Sequence, residues 1–325
     1  MTVAMCFAGG AFAQQTIDTV TVTASPIIES NNVDSFASFS TKVTDSQIKD
    51  LGALDLTAAL RMTPGVQISR FNEVGSYNGN QGGSVYIRGL GASRPGSEIK
   101  TYLDGVPVYM GIWNHPLMDL LPLNGVGVIE VDKGPNPMRS GNNLAAVNLQ
   151  TKRATTEGVQ GEVNAAVGSF ATQVLQANMV GKSDDIDYSL AGGDIKSDGA
   201  RANGDASLQN AMGKLTKKID RNWSVGGSFL SVNNDVGDPG KNTLSTYAYD
   251  WNNSDPKSNG VGRNVSKTNL LTAFVSHQHG GWKGELKVYQ NTGENNLTQD
   301  PAWGNFVSKF DMSGFKLKEE LVPWA

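Results

Sequence analysis

Cysteine is almost absent: the 325 residues hold one, Cys6, and it lies inside an apolar leading segment. An exported chain that loses this segment has no disulfide to rely on and must be held by packing and hydrogen bonding. Charge is also scarce. Charged residues make up 18%, and Lys+Arg 27 against Asp+Glu 31 leaves a net charge of −4. There is no basic excess of the kind that grips phosphate backbones, so no nucleic-acid partner is expected. No apolar run reaches the roughly 18 residues of a membrane-spanning helix, but this leaves barrel strands open, because their signal is far weaker. A nucleophile elbow, a phosphate loop and zinc-ligand spacing are missing too. The reading is therefore of a non-enzyme with no metal site and no cofactor. What the chain does hold is glycine, 38 residues of it, among many Asn, Ser and Thr, which is the composition of a strand-rich, turn-rich protein.

Residues 1–13 carry no charge and end in the small-residue pattern Ala11-Phe12-Ala13 before Gln14. That matches the apolar region and cleavage site of a signal peptide, without the positive region that normally precedes it, so the true start is expected upstream. The alternative is a plain apolar N-terminus. The exported protein is expected to begin at Gln14. Intact-mass analysis of membrane-inserted material tests this, and retention of Met1 there would overturn it.

Two regimes follow. Residues 31–153 mix short helix and strand signals with Pro-Gly turns and read as a small α+β domain. A capped helix is expected over 45–51, with Thr44 or Asp45 as N-cap, and a second over 55–62, stopped by Pro64-Gly65. Short strands are expected at 66–70, 84–88, 100–103 and 127–132. From about residue 159 the helical signals vanish and alternation takes over: Val163, Ala165 and Val167; Ile186, Tyr188 and Leu190; Trp223, Val225 and Phe229; Trp282, Leu286 and Val288. Weaker alternation at 172–180, 210–219, 267–277 and 314–321 brings the count to eight candidate strands, each about the 9–11 residues that a tilted strand needs to cross a bilayer. A soluble sandwich alternates in the same way, so the connections must decide. The first connection (169–171) is short, and from the second onward short turns (181–185, 220–222, 278–281) alternate with longer connections (194–208, 233–266, 291–313), as in outer-membrane barrels. On that pattern Trp223 and Trp282 open strands at the short-turn edge, where an aromatic girdle belongs, and His277 and His279 lie at the same edge rather than in a metal site.

Five segments of the first domain share an order with a known family. Residues 18–24 read DTVTVTA, 84–90 SVYIRGL, 101–108 TYLDGVPV, 129–135 IEVDKGP and 138–152 MRSGNNLAAVNLQTK. Together these resemble the TonB-dependent outer-membrane receptors: a TonB box, an Ile-Arg-Gly strand, a Leu-Asp-Gly-Val-Pro turn, a Gly-Pro segment and a closing stretch. Ser140, where a Tyr is common, and Ala145-Ala146, in place of paired glycines, depart from the pattern.

The resemblance implies a TonB-box segment over 14–30, a plug domain over 31–153, and the first eight or so strands of an incomplete transmembrane barrel over 159–325. It also implies a receptor in the outer membrane of a Gram-negative bacterium that imports a scarce nutrient with TonB-supplied energy, a ferric siderophore being the default cargo. The implied partners are TonB, a small nutrient or metal chelate, and lipid. A non-transporting binding or signalling protein, or a non-functional truncated receptor, is the alternative. TonB contact falls on Asp18, Thr19, Val20, Thr21, Val22, Thr23 and Ala24, an extended Thr/Val-rich segment suited to adding as a strand to a partner's sheet edge. Apical plug loops point to Arg94, Tyr109, Trp113 and His115 as ligand contacts, although Trp113 equally suits packing. Arg88 and Glu130, charges within apolar strand segments, are expected to pair with each other or with the barrel wall, a solvated face being the alternative.

Overall fold

The computed structural model of the chain describes residues 30–33, 39–70, 72–75, 83–89, 99–110, 115–116, 121–137, 139–141, 143–239, 262–298 and 305–321. Segments 1–13 and 18–24, and residues Arg94 and Trp113, lie outside these.

The N-terminal domain runs β1 (Ser30–Val33), β2 (Phe39–Thr44), α1 (Asp45–Asp50), α2 (Leu56–Leu60), β3 (Val66–Arg70), β4 (Gly83–Ile87), β5 (Ile99–Leu103), β6 (Val106–Pro107), β7 (Tyr109–Met110), β8 (His115–Pro116), β9 (Val126–Asp132) and β10 (Ala145–Thr151). Six of the strands form one sheet in the order β1-β2-β9-β10-β5-β6, with β10 and β5 parallel. Both helices begin where the sequence supplies caps. Thr44 closes a capping box, its backbone N–H donating to Gln47 Oε1 at 2.9 Å, and Asp55 Oδ1 accepts from Ala58 N at 2.8 Å. Asp55 is thus the cap of α2 rather than its first residue, and the helix stops at Leu60, short of the expected 62. Val43, Ile48, Leu56, Leu60, Ile87, Ile99, Ile129 and Leu149 meet in one core between the helices and the sheet.

The central strand β10 had no counterpart among the expected strands. It is buried on both faces, so its sequence does not alternate, and its buried Asn148 is satisfied by donating to Asp132 Oδ2 at 3.0 Å. Ala145 and Ala146 sit in this buried strand with virtually no exposure.

The second part is a single antiparallel meander of eight strands paired strictly in chain order: β11 (Gly158–Gly168), β12 (Thr172–Lys182), β13 (Ile186–Ser197), β14 (Ala206–Lys218), β15 (Trp223–Asp238), β16 (Gly262–His279), β17 (Trp282–Thr298) and β18 (Asn305–Leu321). Among the described residues β11 and β18 are not paired with each other, so the sheet is an open wall.

Burial separates its two faces. Val163, Leu175, Leu190, Leu215, Phe229, Leu271, Val288, Phe315 and Leu317 are exposed on the outer face, while Ile195, Met212, Leu230, Val232 and Leu270 are buried on the inner face against the N-terminal domain. A soluble sandwich would bury one apolar face and wet the other. A wall that packs a domain inside and shows a continuous apolar outer band is built for lipid.

β11 and β12, at 11 residues, keep to the expected 9–11, but the later strands outgrow it, from 12 in β13 to 18 in β16. The reason is visible on the outer face. Beyond Phe229 it continues as Ser231, Asn233 and Asp235, and on β17 beyond Val288 as Gln290, Thr292 and Glu294. Pairing goes on after the apolar band ends, and there the hydrophobic signal falls silent. At the short-turn edge Trp223 lies 5.1 Å from the His277 ring and 5.8 Å from that of His279, and Trp282 Nε1 donates to Glu319 Oε2 at 2.8 Å. Both histidines thus belong to an aromatic cluster at the end of β16. Among the described residues no set of three His, Cys, Asp or Glu is arranged to hold a metal.

Candidate functional site

The candidate functional surface is the seam where the N-terminal domain meets the inner wall. Its best-defined point is the turn between β5 and β6. Asp104 (φ +49°) and Gly105 (φ +78°) both take the left-handed conformation that a two-residue hairpin loop of Asp-Gly favours. This turn pushes a carboxylate and two carbonyls toward the wall, and lysines from three strands converge on it. Lys214 of β14 pairs with Asp104 Oδ2 at 3.0 Å; Lys287 of β17 donates to the Asp104 carbonyl at 2.5 Å; Lys316 of β18 donates to the Gly105 carbonyl at 3.1 Å. The Phe274 ring lies 5.6 Å from Lys214 Nζ and 5.9 Å from Lys287 Nζ, and Tyr102 lies 5.6 Å from Lys316 Nζ. Thr151 completes the hold on the carboxylate, its N–H donating at 3.0 Å and its hydroxyl at 2.6 Å. Burial pushes the Asp104 carboxyl up, but the Lys214 charge and the Thr151 hydrogen bonds outweigh it and hold the group below the usual carboxylate range.

Two further attachments flank this one. Glu162 of β11 meets Lys49 at 2.6 Å and Lys152 at 3.5 Å, and Asp45 bridges the same two lysines at 3.2 and 2.9 Å. Asn72 donates to the Gly237 carbonyl at 3.0 Å and the Gly204 carbonyl at 3.3 Å, while Val74 packs with Ile195, Leu208 and Val236 of the wall. The loop that presents Asn72 is itself tied down by Arg70, which pairs with Asp55 and donates to the Gly75 carbonyl at 2.7 Å.

Of the residues singled out from the sequence, Tyr109 and His115 lie on β7 and β8, which pair as Tyr109↔Pro116 and Met110↔His115. They share one short ladder. Glu130 is buried in β9 and ion-pairs with Arg139 of its own domain, so it does not serve the wall. Nearby Asp132 is pushed up by burial. Arg88 is not inside a strand. It follows β4 as an exposed turn residue at φ +53°, its N–H donating to the Gly65 carbonyl at 2.7 Å. The residues that sequence reasoning missed are Asp104, Lys214, Lys287, Lys316 and Arg139. The Asp-Gly turn was legible as a motif, and the three lysines occupy inward positions of alternating strands, but nothing local joins them.

Comparison with known proteins agrees with this geometry. Residues 32–147 match the family model described as TonB-dependent Receptor Plug Domain. No curated protein sequence matches the chain. Among solved structures, the fold is similar to that of the ferric yersiniabactin uptake receptor FyuA from Yersinia pestis (TM-score 0.69, 17% identity, 88% of this chain and 46% of that one). It is also similar to the ferric citrate transporter FecA in its unliganded form (TM-score 0.69, 16% identity, 88% and 44%). A third similar fold is the alcaligin outer-membrane receptor FauA from Bordetella pertussis (TM-score 0.62, 19% identity, 86% and 42%). The chain spans less than half the length of each of these. The family match covers residues 32–147 of the inner domain, and the likeness of fold to these receptors continues through the wall, so the chain is similar to the TonB-dependent receptors in its plug sequence and in the fold of both parts.

Proposed function

We propose that this chain serves in outer-membrane uptake: it binds a scarce nutrient at the apical loops of the plug and imports it with energy supplied through TonB at residues 18–24. The observation that carries the reading is the plug seated by three separate attachments against a wall whose outer face is apolar. A domain held inside such a wall closes a passage across the membrane, and a polar seam is one that can be opened and remade. The solved relatives named above are receptors or transporters of ferric yersiniabactin, ferric citrate and alcaligin, and they support a ferric chelate as the default cargo. The role is binding and transport, with no covalent chemistry.

Recognition is assigned in part to Arg94, Tyr109, Trp113 and His115. The β7–β8 ladder supports this by pairing Tyr109 with Pro116 and Met110 with His115, which brings the backbones of Tyr109 and His115 together. Trp113→Ala and His115→Ala are each expected to weaken cargo affinity about tenfold, ~1.4 kcal/mol, with outer-membrane abundance unchanged. Binding to whole cells alongside quantification of the receptor checks this. Parallel losses of abundance and binding would mean that these residues pack the plug instead.

A further inference from the structure

The inner wall carries a row of amides with one gap in it. Asn164, Gln176, Gly193 and Asn210 are successive register partners across β11, β12, β13 and β14. Gly193 leaves bare backbone between two amides, and Asn124 of the plug reaches into the space above it. A methyl group placed on Gly193 would stand 3.2 Å from Asn210 Nδ2, 3.2 Å from Gln176 Cγ and 3.3 Å from Asn124 Nδ2. Side-chain amides from the plug, β12 and β14 therefore meet at one place. Their hydrogen bonding is unfinished. Oδ1 and Nδ2 of Asn124 and Oδ1 of Asn210 are shielded from solvent, yet none has a partner among the described residues. Asn164 Nδ2 reaches Gln176 Oε1 only at 3.5 Å. Buried donors and acceptors are nearly always satisfied, so a spot that leaves one donor and two acceptors open calls for a further group.

Asn124, Asn164 and Gln176 also line a cavity of about 300 Å³ between the plug and β11–β12, the lower end of the size of small-molecule pockets. The charged residues on its wall are Asp45, Lys49 and Glu162, and together with Lys152 they pair among themselves. We infer that this cavity binds a small uncharged polyol, a molecule of sugar size, between the plug and the wall. A hydroxyl both donates and accepts, as an amide does through its two atoms. Neighbouring hydroxyls of one molecule can therefore meet the open donor of Asn124 and the open acceptors of Asn124 and Asn210. A charged ligand gains nothing comparable, because the lysines and carboxylates around the cavity already hold each other. Asn124 belongs to the plug and Gln176 to the wall, so the polyol bridges the two parts. The site shares no residue with the apical loops and does not depend on the nature of the cargo.

The test titrates the whole chain, in a detergent without sugar headgroups, with glucose and separately with gluconate at constant ionic strength, following the heat calorimetrically. Saturable glucose binding is expected for the wild type and for Asn233→Leu, which removes an exposed amide from the outer face. Asn124→Leu and Gln176→Met keep the side-chain volume, remove the amide, and are each expected to weaken glucose binding about tenfold or more. Asn124 lies in the turn that Val126 N closes on the Leu123 carbonyl at 2.9 Å, so Gln176→Met, within the regular strand β12, decides if Asn124→Leu proves misfolded. Gluconate, of similar size but carrying a carboxylate, is expected to bind about tenfold more weakly than glucose or worse. Glucose heat that never saturates would mean that the gap holds water only, and it overturns the site. Affinity unchanged in Gln176→Met, or gluconate bound as tightly as glucose, overturns it too. Because the readout is binding by the purified chain, failure of nutrient uptake would overturn the proposed transport role and leave this result standing.

Discussion

Val20→Pro is expected to abolish nutrient uptake and leave cargo affinity at the wild-type value. Residues 18–24, DTVTVTA, contain neither proline nor glycine and can lie extended with Val20 and Val22 on one side and the threonines on the other. A segment that adds to a partner's sheet contributes its backbone N–H groups as the main source of affinity, and the alternate side chains set the register. Proline removes one of those donors and places its ring where the partner strand must approach. Val22→Pro should behave in the same way, whereas Val20→Ile, which keeps both the donor and the strand preference, should retain uptake. Energised uptake of labelled cargo into cells, set beside binding at low temperature, separates the two quantities. If Val20→Pro lowered binding and left transport normal, the segment would be a structural strand of the plug and the coupling site would lie elsewhere.

How far the sequence could be read depended on how local each cause was. Strand β3 was placed at 66–70 and found there, because alternation and the Pro64-Gly65 stop both act within a few residues. The cap of α1 is a side chain three residues from the N–H group that donates to it, so Thr44 was one of the two candidates, whereas Asp55, the cap of α2, was read as the first residue of its helix. β10 was not legible, since a strand buried on both faces carries no period of two. In the wall, apolar alternation marked Trp223 to Phe229, but β15 continues to Asp238 with Ser, Asn and Asp outside, where no apolar band is needed. Pairing with β14 and β16 holds that extension, and pairing is invisible in a single strand's sequence. The seam shows the same limit more sharply. Asp104 meets Lys214 across 110 residues of chain, Lys287 across 183, and Gly105 meets Lys316 across 211. Each lysine looks like an ordinary polar member of an alternating strand until the sheet is rolled around the plug.

The second large effect is expected at that seam. Asp104→Asn should loosen the plug from the wall by about 3–5 kcal/mol, the cost typical of removing one partner of a buried ion pair. The substitution is the mildest one that tests the charge: asparagine tolerates the left-handed backbone at φ +49°, keeps the volume and still accepts a hydrogen bond from Thr151. What it takes away is the counter-charge of Lys214, and both side chains are largely shielded, at 15% and 18% exposure, so water makes up little of the loss. Lys287 and Lys316 keep their carbonyl partners, which makes the experiment specific to the ion pair. The turn lies at the β5–β6 edge of the plug sheet, opposite β1, which follows the segment where energy is proposed to enter. The acid limb gives a second reading. The folded Asp104 carboxyl is held below its ordinary range, so its stabilisation is complete above the unfolded carboxylate pKa and is lost as pH falls through the folded value. Asp132, raised by burial, titrates with the opposite sign but is common to both proteins and cancels in the comparison. Denaturant-dependent protease cleavage of the plug, followed from neutral to acidic pH, should therefore show the wild type losing its advantage over Asp104→Asn as acid is added. Equal denaturant midpoints at neutral pH would mean that the Lys214 pair is ornamental and that the plug is held by the Glu162 and Asn72 attachments and the carbonyl contacts of Lys287 and Lys316.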